Sequence, residues 1–64
     1  MRPLIEILEE ERDLMQRLES VSRYLLKDDD PEVQEILLAQ RGRFKRELVN
    51  IQLELGERIE QLLE

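Results

Sequence analysis

The amino-acid sequence predicts an all-α fold, an antiparallel two-helix hairpin over about residues 3–27 and 31–63. Leu, Ile, Glu, Arg and Gln dominate the composition, as is typical of long helices. Apolar residues recur at helical spacing on both sides of one strong break, Lys27-Asp28-Asp29-Asp30-Pro31-Glu32. A link of about three residues usually makes two helices antiparallel neighbours. We therefore treat residues 1–64 as a single helical domain.

The first predicted helix carries an apolar seam with heptad spacing. Pro3 suits its first turn, where the missing proline N–H is no loss. Glu11 is the one polar residue in the seam; we interpret it as a partly solvated or arginine-paired carboxylate, and the alternative is a device that orients a partner helix. Leu8 and Met15 widen the stripe, which favours a multi-helix bundle. The seam consists of Leu4, Ile7, Leu14, Leu18, Val21 and Leu25.

The second predicted helix begins with a capping pair. The short Asp30 side chain can accept hydrogen bonds from the free amides of the first turn, and Pro31 suits the first helical position. The helix would span ~49 Å, against ~37 Å for the first, so its end projects beyond its hairpin partner. Gly42 is either tolerated on the solvent side or marks a kink or a close helix–helix approach in the assembly. The apolar face consists of Val33, Leu37, Phe44, Leu48, Ile51, Leu55, Ile59 and Leu62.

The predicted hairpin is too small to be stable alone. A chain of 64 residues has little interior, and the absence of cysteine removes disulfides as a staple. We expect a homodimer in which two hairpins form a four-helix bundle; the alternative is a bundle completed by an amphipathic helix of another protein. The residues expected to mediate association are Leu48, Ile51, Leu55, Ile59 and Leu62.

Several classes of function have no support in the sequence. There is no histidine or cysteine, no glycine-rich phosphate loop and no nucleophile–base set, so we expect neither an enzyme nor a metal or cofactor site. The net charge of −6 disfavours nucleic acid as a partner. Apolar runs such as Ile36-Leu37-Leu38 are too short to span a membrane, and the first residues do not resemble a signal peptide. We therefore expect a cytoplasmic protein that does not bind membranes.

One basic run interrupts the acidic chain. It is Arg41-Gly42-Arg43-Phe44-Lys45-Arg46, and Arg17 lies opposite it in the antiparallel register. We interpret these cations as ion-pair partners of nearby carboxylates. The alternative is a regulatory protein that binds an anionic ligand or a phosphorylated partner. The residues of this basic patch would be Arg17, Arg41, Arg43, Lys45 and Arg46.

The pattern from Leu4 to Leu63 resembles the helical hairpin of the FlgN-like flagellar export chaperones. The similarity lies in a Leu/Glu-rich first arm with Leu25 near its end, and in the turn residues Asp28–Asp30. It continues in a second arm with basic residues and spaced leucines, here Arg43, Leu48 and Arg58. The resemblance implies a small cytoplasmic chaperone or adaptor that holds an amphipathic helix of its partner.

Overall fold

The computed structural model describes residues 2–63 as two α-helices packed side by side. Helix α1 comprises Leu4–Lys27 and helix α2 comprises Pro31–Leu63. Together they form an elongated hairpin of 50 × 16 × 15 Å. The all-helical class and the two-helix hairpin predicted from the sequence are confirmed, and the helix bounds agree to within one residue.

Helix α1 begins one residue later than predicted. Pro3 occupies the N-cap position with an extended backbone (φ −66°, ψ 150°), so it precedes the first turn. Its side chain cannot accept a hydrogen bond, but its carbonyl accepts one from the Glu6 N–H at 3.1 Å. At the other end, the Asp28 N–H donates to the Tyr24 carbonyl at 3.0 Å. Asp28 itself has an extended backbone conformation, which ends the helix.

The three-residue link is held by side chains of the link itself. Asp30 caps α2, because its Oδ1 accepts a hydrogen bond from the Glu32 N–H at 3.0 Å. Asp28 Oδ1 accepts from the Asp30 N–H at 2.9 Å, which tightens the turn before the cap. Gln34 Nε2 donates back to the Asp28 carbonyl at 2.9 Å. Pro31 follows as the first helical residue, where it needs no partner for an N–H.

The interior of the hairpin is a single line of side chains. Among residues 2–63, only Ile7, Leu14 and Val21 are buried, and all three belong to the predicted α1 seam. No residue of α2 within that range is fully buried, because a single neighbour covers only part of its apolar face. The apolar α2 residues that contribute half-buried side chains are Val33, Leu37, Phe44, Leu48, Ile51 and Leu55.

Contacts between the two helices, at the end farthest from the link and midway along the hairpin, fix the antiparallel register. Arg2 bonds to Glu54 and Arg58, and the Arg17 guanidinium lies over the Phe44 ring at 6.0 Å from its centroid. The residue numbers of the Arg2–Arg58 and Arg17–Phe44 pairs sum to 60 and 61, and the long side chains of Arg2 and Glu54 meet one turn away from that register. Residue n of α1 therefore lies about level with residue 60 − n of α2. Helix α2 has 33 residues against 24 in α1, and its last turn projects beyond Pro3.

Candidate interaction surfaces

The association residues expected from the sequence fall into two groups. Leu48, Ile51 and Leu55 are half-buried, on the side of α2 that packs on α1. Ile59 and Leu62 lie beyond the start of α1 and are 45% and 69% exposed. The first group therefore builds the hairpin, and the second remains available to another molecule.

The two flanks of the helix contact differ in chemistry. A residue that precedes a core position lies about 100° to one side of it, and a residue that follows lies about 100° to the other side. Most of the residues that precede core residues are polar, with Ile36 as an exception, and they share one flank. A shallow groove on this flank has a volume of about 360 Å³. We call this flank the ion-pair face; its residues include Glu10, Asp13, Arg17, Arg43, Glu47, Asn50 and Glu54.

The opposite flank is largely apolar and exposed. Leu8 follows Ile7, and Met15 follows Leu14; they are 41% and 53% exposed. The residues that follow the core positions of α2 are on the same side of the hairpin, because the two helices are antiparallel and present matching flanks. We call this flank the open face; its residues are Leu8, Met15, Ser22 and Leu26 of α1 and Leu38, Lys45, Val49, Gln52 and Gly56 of α2.

Arg2 lies at the end of the ion-pair face that is farthest from the link between the helices. Its Nη2 and Nε contact the two oxygens of Glu54 at 2.6 and 2.9 Å, and its Nη1 contacts Glu10 at 2.5 Å. Arg58 Nη1 donates to the Arg2 carbonyl at 2.8 Å. The hydrogen bond from Arg2 lowers the pKa of Glu54, and the bonds to Glu54 and Glu10 raise the pKa of Arg2. These contacts tie the segment before α1 to the last third of α2.

The basic residues of the predicted patch are not gathered into one pocket. Arg17 contacts Asp13 at 3.0 Å as well as the Phe44 ring, and Arg43 contacts Glu47 at 3.5 Å. Among residues 2–63, no ion pair involves the other three members of the patch. Those three members are Arg41, Lys45 and Arg46. The first two of these lie four positions apart and share a helix face, whereas the third follows directly and lies about 100° away.

Two features of these surfaces, the contacts of Arg2 and the contact between Arg17 and Phe44, are not predicted from the sequence. The Arg2 contacts join residues 52 and 56 positions apart, and nothing local in the sequence indicates such pairing. Phe44 was assigned to the core alone, whereas its half-buried ring also carries the Arg17 guanidinium. The sequence does contain a signal for this contact: the antiparallel register places Arg17 level with Phe44, and an arginine beside an aromatic ring indicates a cation–π contact.

Comparison with protein-family models, with curated proteins and with solved structures finds no match for this chain. Within residues 2–63, no three Asp, Glu, His or Cys side chains are grouped as a metal site would require. Neither helix, over the same range, has an apolar stretch long enough to cross a membrane. The resemblance to the flagellar export chaperones therefore stays a prediction.

Proposed function

We propose that this chain is a non-enzymatic, cytoplasmic protein–protein interaction module that acts as a homodimer and forms a four-helix bundle. The observation that carries this proposal is the open face. Large apolar side chains lie exposed along both helices on one side of the hairpin, while ion pairs occupy the other side. Contiguous exposed apolar surface marks interaction sites in small proteins.

The energetics of a small chain support the same proposal. Three buried side chains are a small core for a described segment of 62 residues, and ordering each residue costs roughly 1.5 kcal/mol. Covering the open face would add a second apolar layer without any change in the hairpin. Such an arrangement is that of a four-helix bundle, in which each helix contacts two neighbours. An adaptor role, in which a partner's amphipathic helix takes the same place, uses the same face.

The proposal is tested by the mass of the purified protein and of two matched variants. Sedimentation velocity at micromolar concentration should give twice the 7.7 kDa mass of the chain. Met15→Glu places a charge on the open face and should dissociate the dimer, since a buried unpaired charge is costly. Ile36→Glu is the control, because Ile36 is equally exposed but precedes Leu37 on the ion-pair side. A monomeric wild type with full helicity would refute homodimerisation.

A second candidate function is recognition of an anionic ligand or a phosphorylated partner by the basic patch. It is favoured by Arg41, Lys45 and Arg46, which form no ion pair within residues 2–63. Reversing the charge of Arg43 and Lys45 together should abolish binding of a phosphopeptide if this function holds. If the double variant binds the phosphopeptide as well as the wild type does, or if the wild type does not bind it, this second function is wrong.

A further inference from the structure

The two halves of the open face differ in charge. Helix α1 presents Leu8 and Met15, and the half-buried Glu11 borders them, because it follows Ile7 by four positions and so lies about 40° round the helix toward the same side. Helix α2 presents Leu38 and Val49, together with Lys45 and the small Gly56, at which an added Cβ would meet no atom within 4 Å. Among residues 2–63, neither Glu11 nor Lys45 forms an ion pair within the chain. In charge, each half therefore complements the other half better than it complements itself.

Two-fold symmetry allows two ways to cover this face with a second copy. If the axis runs across the helices, α1 covers α1 of the partner and α2 covers α2. If the axis runs parallel to the helices, α1 of one copy covers α2 of the other, and every residue keeps its level along the bundle. Both arrangements bury the open face and leave neighbouring helices antiparallel.

The parallel axis makes a definite set of neighbours. Because levels are kept, residue n of one copy again lies beside residue 60 − n of the other. Met15 then lies level with Lys45, and Glu11 lies one turn away from Lys45 across the interface, a distance that the long lysine side chain can span; the pair occurs twice by symmetry. Ser22 lies level with Leu38, and Leu4 lies level with Gly56. The acidic Glu11 of α1 thus comes near the basic Lys45 of α2, and Leu4 meets the small Gly56.

We propose that a second copy of this chain docks on the open face about a two-fold axis parallel to the helices, so that α1 of each copy lies along α2 of the other. This assignment rests on the proposed homodimer and specifies its geometry. Charge complementarity between Glu11 and Lys45 selects this arrangement, since the transverse axis stacks the two lysine-bearing helices on each other.

A charge exchange between copies tests the pairing. Glu11→Lys and Lys45→Glu should each weaken self-association roughly tenfold, because each places two like-charge contacts across the interface. Mixing the two variants should restore association, since every heterodimer then has opposite charges at both contacts. Arg43→Glu and Glu47→Lys change the net charge by the same amounts on the ion-pair face, and their mixture should show no preference for the heterodimer.

Cysteine cross-linking tests the axis independently, because the chain has no cysteine of its own. Under mild oxidation, a mixture of Ser22→Cys and Leu38→Cys chains should form a mixed disulfide, and neither chain should link to itself. A dimer by mass that gives no mixed disulfide, or that links each variant to itself, would overturn the parallel axis and leave the homodimer standing. A monomer by mass would overturn the homodimer and with it this geometry.

Discussion

Replacing Leu14 by alanine should clearly destabilise the hairpin. Leu14 is 8% exposed and sits between Ile7 and Val21 in the only buried line of side chains among residues 2–63. Truncating a core leucine to alanine costs about 2–5 kcal/mol, which combines lost burial with the cavity left behind. Leu14 also borders the groove shared with Arg17 and Ile51, so neighbours and water can fill part of the space. We therefore expect a loss of about 2–3 kcal/mol in the free energy of unfolding.

Leu53→Ala is the matched control for this prediction. Leu53 is 63% exposed, and it lies about 200° around α2 from Ile51, on the side away from α1. Alanine is the better helix former, so we expect no loss of stability. Urea unfolding can be followed by circular dichroism at one fixed protein concentration. Leu14→Ala should lower the urea concentration at the midpoint by about 2 M, and Leu53→Ala should leave it unchanged. Equal losses for both variants would refute the assignment of the core.

Three further predictions concern the cap, the salt bridge and a glycine. Asp30→Ala should cost about 1 kcal/mol in thermal or urea unfolding, while Asp30→Asn should retain most of the cap; equal effects would exclude the capping role. The lowered pKa of Glu54 stabilises the fold at neutral pH, and this contribution is lost as the pH falls from the ordinary carboxylate range through the lowered value. Glu54→Gln should therefore flatten the acid side of the stability profile, and an unchanged profile would contradict the Arg2 contact. Gly42→Ala should stabilise by about 1 kcal/mol, since a Cβ there meets nothing within 4 Å; a loss of stability would indicate a covered glycine.

The fold could be predicted from the sequence because its determinants are local or periodic. Asp30 and Pro31 act on the first turn of α2, and each does so through its own chemistry rather than through distant contacts. The seam through Ile7, Leu14 and Val21 repeats every seven residues, so its burial follows from helix geometry alone.

The surfaces could be predicted only in part, because they depend on the direction in which the helices pair. Leu8 and Met15 were expected to widen the stripe of α1, but the α2 residues on the same flank follow only from the antiparallel register. The Arg2–Glu54 contact joins two ends of the chain through long side chains and has no sequence period. The residues Ile59 and Leu62 were expected at an interface because α2 is longer, and they are exposed beyond α1.

The mass of the native protein in solution is the most direct measurement of whether a second copy covers the open face. Sedimentation equilibrium over a micromolar concentration series should fit a reversible dimer of the 7.7 kDa chain, and Met15→Glu should shift the fit to monomer. A fully helical wild-type monomer across the whole series, with Met15 and Leu26 open to water, would contradict the proposed dimer.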